Sequence, residues 1–503
     1  MDTNVVTVSD CCKFIARISD TVLEIIDLSH STTFRSYDLY DTVEKYLQIK
    51  LRQKPIFTHL QWEKVIPGSD SSKIGVIVDN VPLLIIFDFT NMEAEPIFIK
   101  QPRQEGIEYF EWIPPVSQEK EIGAYKNSCQ LIVYSKLNLN AKVYSLDCTH
   151  ILFTIYKPIS SLIIRPAHDN RFWSIFANTL EYNVPPILYH FYNEGSISVL
   201  IQHIKFPQPI STAPVIKWSP SGSWLQLFND NENIFGYHLM VFNLLGQILN
   251  DKTIKPLIDV ECMSEGYTTS REDGHISLSN CQFESNWLNL ELGNEMIIIT
   301  SVQERIMEFQ LVSMSLLRIE KVIKLNINNT QGWIQTSNGF TYRNITLPVH
   351  EEEWKISKIS INNQDIFICI NKSIIVHYKI SAIRSDVSIG FNYMIQTSSS
   401  ITNLEMWNDH LLIITEDEVH LASGDASKPK RIFRTRGTIK LCSIRHNQMV
   451  VIHNTTQGAN WQVVELEQSK QSPIKRKHLL GNISIMSDEV TDTFDNRKRI
   501  KTK

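Results

Sequence analysis

Residues Val215 to Phe228 are VIKWSPSGSWLQLF, and the fold turns on how this stretch is parsed. An apolar run ends on Trp218, the tetrapeptide Ser219-Pro220-Ser221-Gly222 follows, and a second run is dominated by Trp224, Leu225, Leu227 and Phe228. Proline presets the first φ angle of a tight turn, and glycine accepts the positive φ that β-branched residues resist. The tetrapeptide therefore specifies a reversal between two strands. Tyr237 to Leu249, YHLMVFNLLGQIL, supplies a third strand that turns at Gly246 into a fourth. A sheet this small cannot bury both faces alone, so it needs neighbours of its own kind.

The phrase recurs on both sides. Val6 to Leu28 runs strand, turn at Ser9-Asp10, strand Lys13 to Ile18, turn at Ser19-Asp20, strand Val22 to Leu28. Ile56 to Val65 and Ile74 to Phe89 flank the polar turn PGSDSSK, with Trp62 standing where the first stretch has Trp218. Gly106 to Leu137 repeats the arrangement around Trp112 and Pro114-Pro115. Ile159 to Phe176, Pro185 to Tyr192 and Ser198 to Phe206 make the next unit. After the opening stretch comes Ile276 to Leu311, with Phe283 in the tryptophan's place. A side chain repeated at one place in each unit packs against the same place in the next, so these aromatics are expected in the core between sheets. The repeats predict an all-β chain folded as a WD40-like β-propeller.

Two segments break the pattern early. Ser36 to Lys54 carries Leu39, Val43, Tyr46, Leu47 and Ile49 at spacings that line a short helix, an expected insertion at 36–54 between blades. Cys262 to His275 is polar without period and predicts a surface loop. Beyond Leu325 strands continue through NGFTYRNITL, Trp354 to Ile380, Ser400 to Gly424, Thr438 to Asn454 and Trp461 to Leu466. The sum is roughly nine blade-like units, above the usual range of about four to eight. They form one large ring with extra strands, or two rings. The expected division is blades over 1–325, further blade-like units over 326–467 that close the ring or form a second one, and a tail over 468–503. That tail carries KRKH at Lys475 to His478 and RKRIKTK at Arg497 to Lys503, and is expected to be basic and disordered.

A chain of 503 residues with 43% hydrophobic and 20% charged residues can bury a large core. Its net charge of -5 provides no global basic field, so direct nucleic-acid binding is not expected. The opening MDTNVVTVSDCCKFIARI lacks the charged and apolar regions of a secretory signal, and apolar runs such as NVPLLIIFDF are strand-sized, so no membrane association is expected. The 8 cysteines show no C-x-x-C pair, which fits reduced thiols and makes the glycosylation-type sites at Asn344, Asn371, Asn454 and Asn482 idle.

Catalytic chemistry finds no footing. Neither phosphate-cradling glycine motif nor a G-x-S-x-G elbow occurs. His350-Glu351-Glu352-Glu353 lacks the second histidine of a zinc helix. Asp409-His410 and His168-Asp169 are strand neighbours, whose side chains point to opposite faces. No catalytic, cofactor-binding or metal-ligating residue is assigned, no cofactor or small-molecule substrate is expected, and the chain reads as a non-enzyme whose loops bind proteins.

VIKWSPSGSWLQLF is similar to the strand-turn-strand phrase of WD-repeat proteins, although their Trp-Asp and Gly-His pairs are missing from this repeat. More narrowly, Lys217 to Leu249, with a long mid-blade loop and a Leu-x-Gly-x-Leu-like turn, resembles the WD-repeat protein eight family of spindle poles and centriolar satellites. The likeness is colinear from Val6 to about His453 and includes Leu404-Glu405-Met406-Trp407 and Ile439 to Ile452. It implies a non-enzymatic scaffold in the cytoplasm, at the spindle pole or microtubule-organising centre, active in mitosis. Its implied partners are a coiled-coil spindle-pole protein and a minus-end-directed kinesin, with which it anchors microtubule minus ends. The tail's basic clusters support the alternative, a nuclear WD-repeat scaffold in a ribosome-assembly or chromatin complex.

Overall fold

A computed structural model describes residues 5–65, 69–79, 81–91, 93–102, 106–113, 130–135, 140–145, 148, 150–155, 159–166, 172–179, 186–194, 197–205, 215–219, 221, 223–231, 236–243, 248–254, 282–290, 294–303, 305–314, 318–328, 330–350, 354–362, 364–383, 386–445, 447–455, 458–466 and 479–481. Among these the strands form nine sheets, eight of four strands and one of six. Each four-stranded sheet, and the four consecutive strands 356–396 of the six-stranded one, is a contiguous antiparallel meander, here called a blade. Blade 1 spans residues 5–38, blade 2 57–100, blade 3 109–155, blade 4 159–205, blade 5 215–254, blade 6 282–326, blade 7 356–396, blade 8 401–434 and blade 9 438–481.

The blades close into one ring, because nine hydrophobic clusters each join one blade to the next. The last of these packs Val8, Ile15 and Ile26 of blade 1 against Val450, Ile452 and Trp461 of blade 9. Arg445 of blade 9 also donates to the Asp10 carbonyl at 2.9 Å. Among the described residues the ring is sealed by packing, with no strand exchanged between first and last blades. A sheet sandwiched between two neighbours buries both faces, so its middle strands read as unbroken apolar runs such as Leu83–Asp88, LLIIFD. In blade 5 Leu225 and Leu227 face blade 4, while Phe228 faces blade 6.

The expected tryptophan position is real and carries a bond as well as bulk. Trp62 donates its indole N–H to the Thr7 carbonyl at 3.4 Å, Trp112 to Gln61 at 3.2 Å and Trp287 to Lys217 at 3.1 Å. In each case the acceptor lies on the first strand of the preceding blade. In blade 6 Trp287 holds this position, four residues beyond Phe283, where the sequence had placed it, on the same strand Gln282–Leu290. Trp218 packs half-buried against the cluster between blades 4 and 5. In blade 8 Met406 faces blade 7, while the neighbouring Trp407 turns toward blade 9, as a one-residue shift on a strand requires.

Three boundaries differ from the sequence reading. Ser36 to Asp38 belongs to a fourth strand of blade 1, Thr32–Asp38, so the insertion begins with the helix Leu39–Leu47. The solvent-facing pattern of that strand hid it, since an outer strand has no apolar alternation to show. The Asp38 side chain caps the helix through the Asp41 N–H, and Leu39 and Val43 pack into the core between blades 1 and 2. Blade 3 extends past Leu137 through the strands Ala141–Tyr144 and Ile151–Ile155. Leu479–Gly481 pairs as the last strand of blade 9, within what the sequence marked as tail. Both basic clusters of the tail and the segment Cys262 to His275 lie outside the described residues.

NGFTYRNITL is no blade of its own. Gln331–Thr336 and Gly339–Asn344 form a hairpin on the outer edge of blade 7, where Gln331–Thr336 runs parallel to Asp386–Gln396. Gly332 permits this approach, since a Cβ there would sit 2.4 Å from the Met394 carbonyl oxygen. Period-2 alternation gives the hairpin two faces: Ile334 packs toward the core of blades 6 and 7, while Trp333 and Phe340 join the core of blades 7 and 8.

Candidate functional site: a basic cleft beside the edge hairpin

Two buried polar networks lie where blade 7 with its edge hairpin meets blade 8. The first is closed. His377 donates from Nε2 to Asp365 Oδ1 at 2.8 Å and accepts at Nδ1 from the Asn392 amide at 3.1 Å, its ring stacked 4.2 Å from Phe367. Asn392 also reaches the Gly424 carbonyl at 2.9 Å, and Tyr393 donates to the Ser423 carbonyl at 2.7 Å. Burial pushes the His377 pKa down despite Asp365, which keeps the neutral tautomer these bonds require. The network ties blade 7 to blade 8 and leaves no group over for chemistry.

The second network opens onto a cavity of about 290 Å³ lined by Gln335, Phe340, Glu418, His420, Lys428, Arg431 and their neighbours. Its walls are Gly339–Asn344 and Lys430–Arg434, each the outermost strand of its sheet. At its base Glu418 is buried, accepts from Arg431 at 3.1 Å and from the Gln335 amide at 2.5 Å, and forms an ion pair with Arg434 at 3.1 Å. Lys428 and Lys430 are exposed at the lip. Hairpin and blade are held in register here by Trp333, which donates to the Ala426 carbonyl at 3.1 Å.

His420 is 1% exposed, with the Phe340 ring edge-on at 5.0 Å. Its Nε2 lies 3.2 Å from Glu418 Oε2 but at an angle that makes no hydrogen bond, so neither ring nitrogen has a hydrogen-bond partner in the protein. Burial first, and the nearby Arg431 charge second, push its pKa down to about 4. The ring is neutral at pH 7 and offers one donor and one acceptor.

Among the described residues, none of the sequence-flagged acids and histidines lines this cleft. His350 is exposed, and Glu351 to Glu353, His168 and Asp169 lie outside the described residues. His410 packs near Trp407 at 6.1 Å. The missed residues had a visible signal. Glu418-Val419-His420 places an acid and an imidazole two apart on a strand, hence on one face, shortly before the basic run Lys428-Pro429-Lys430-Arg431. What the run lacked was the hairpin opposite it, some 80 residues earlier in sequence. Among the described residues no group of three or more His, Cys, Asp or Glu could hold a metal ion, and no helix is long and apolar enough to cross a membrane.

No family model matches the chain, and no curated protein matches it. Among solved structures it is similar to the Dos1 propeller, at 10% identity and TM-score 0.36 over 78% of this chain and 81% of that one. It is likewise similar to BamB from Moraxella catarrhalis, at 7% and 0.36 over 81% and 99%. A eukaryotic initiation factor structure gives 7% and 0.44 over 86% and 88%. Likeness this distant says nothing about function; the β-propeller architecture stands on the chain's own strand pairing and ring of cores.

Proposed function

We propose that the chain is a non-enzymatic propeller scaffold that binds protein partners, working at the spindle pole or microtubule-organising centre and helping to anchor microtubule minus ends. The scaffold part is carried by one observation: the buried polar groups between blades 7 and 8, His377, Asp365, Asn392 and Tyr393, join blade to blade. Such bonds make a stiff ring that displays loops and sheet edges. The place of action is supported by the resemblance of Lys217 to Leu249 to the WD-repeat protein eight family, which brings with it a coiled-coil partner and a minus-end-directed kinesin. Imaging of the tagged protein through the cell cycle tests it. Discrete pole foci in mitosis, with a coiled-coil protein recovered by affinity purification, are the expected result; diffuse signal at every stage sinks it.

A second reading, a nuclear scaffold in a ribosome-assembly or chromatin complex, is favoured by the basic clusters Lys475 to His478 and Arg497 to Lys503. On that reading deletion of 475–503 abolishes nuclear accumulation. Unchanged localisation after the deletion removes it.

A further inference from the structure

We infer that the cleft between the edge hairpin and blade 8 is a binding site for a phosphate monoester carried on an extended segment of a partner protein. Charge is the first ground. Lys428, Lys430 and Arg431 line the cleft and Arg434 pairs with its one lining carboxylate, Glu418, so with Asp417 near His420 counted as a second anion the cleft keeps a surplus of two positive charges. A phosphate monoester carries about −1.5 to −2 at neutral pH and answers that surplus better than a single carboxylate does. Glu418 is not a ligand in this arrangement. It holds the two arginines in place, and each guanidinium keeps further N–H groups beyond the nitrogen nearest Glu418.

His420 is the second and independent ground. A buried imidazole with no hydrogen bond at either nitrogen, its Nε2 only in 3.2 Å contact with Glu418, is costly to maintain, and this one lines the cavity, where a bound oxyanion would accept an N–H. Packing alone would be served as well by phenylalanine against Phe340.

The walls argue for a segment of protein chain as the carrier. Gly339–Asn344 and Lys430–Arg434 are two facing sheet edges, and an edge strand presents backbone groups on which an extended peptide can pair. The cavity is at the small end for ligand sites, enough for one side-chain phosphate at a time. The anion preference is independent of the scaffold reading; only the protein source of the phosphate rests on it.

Calorimetric titration of the full chain with inorganic phosphate, a phosphoserine peptide, and its serine and glutamate counterparts tests the inference. The phosphoserine peptide is expected to bind at least tenfold tighter than inorganic phosphate or the glutamate peptide. The variant Lys428→Ala with Lys430→Ala, altered only at exposed lip residues, is expected to weaken the phosphopeptide and inorganic phosphate tenfold or more. Lys440→Ala, an exposed lysine on blade 9, leaves both unchanged. His420→Phe, checked for an unchanged thermal midpoint, loses affinity in the same direction. No binding of phosphate or phosphopeptide, or equal binding by wild type and the double lysine variant, overturns the site. Equal binding of the glutamate peptide overturns the phosphate preference. Binding to phosphoinositide vesicles with no gain from the phosphopeptide overturns the protein carrier while leaving the scaffold reading to its own imaging test.

Discussion

Trp112 donates its indole N–H across the blade boundary to the carbonyl of Gln61, the residue immediately before Trp62. Trp287 does the same to Lys217, immediately before Trp218. The tryptophan of one blade thus caps a carbonyl beside the tryptophan site of the blade before it, so packing and hydrogen bonding set the angle between blades together.

Trp112 is 1% exposed, and Trp112→Ala is expected to cost about 3–5 kcal/mol, as large-to-small core changes do. Trp112→Phe keeps most of the packing but strips the Gln61 carbonyl of its donor, for roughly 1 kcal/mol. Trp218 is half-buried, so Trp218→Ala is expected to cost less than Trp112→Ala. Chemical denaturation of the three variants checks the order, and a Trp218 variant as damaged as Trp112→Ala contradicts it.

Gly332→Ala is expected to loosen the edge hairpin. The added methyl meets the Met394 carbonyl carbon and oxygen and the Ile345 side chain, and a parallel pair held by backbone cannot give way cheaply. Overpacking of this kind costs about 1–3 kcal/mol. Hydrogen exchange should speed up over 331–344 and spare blades 1 to 5; protection equal to wild type shows that the hairpin tolerates the methyl.

Asp365→Ala should destabilise the junction of blades 7 and 8 by about 1–3 kcal/mol, because His377 Nε2–H is left buried without an acceptor. The near-ultraviolet signal of Tyr393, bonded to Ser423 across the same junction, reports the loosening. A wild-type midpoint for this variant means the His377 bond adds nothing.

Acid should weaken the fold below about pH 6.5. His420 falls from the ordinary 6.5 to about 4 on folding, and burial lowers His59, His377 and His453 as well. The unfolded chain then binds more protons than the folded one between those values. Stability is full above the unfolded pKa and is lost as pH falls toward 4, by up to about 1.4 kcal/mol for each tenfold difference in proton affinity between the folded and unfolded imidazole. Burial raises Glu63, Glu284 and Glu405, which pull the other way from their ordinary 4.5 upward. His420→Phe should therefore flatten the acid limb of a midpoint-against-pH curve, and an unchanged slope rules out His420 as a contributor.

Local pattern along the chain was enough for the all-β class, the repeat, the roughly nine units and the inter-blade place of Trp62, Trp112 and Trp218, because each is written in alternation and turn chemistry. Even the helix of residues 39–47 was legible from its apolar spacing. Outer strands such as Thr32–Asp38 were not, since a solvated edge strand has no apolar pattern to betray it. That there is one ring emerges only on folding, through the packing of Ile15 on Ile452, residues at opposite ends of the chain. Folding also set Gly339–Asn344 opposite Lys430–Arg434 and so made the cleft around His420. Contacts between residues so far apart in sequence arise from how blades stack, and stacking is a property of the closed ring that no single stretch encodes.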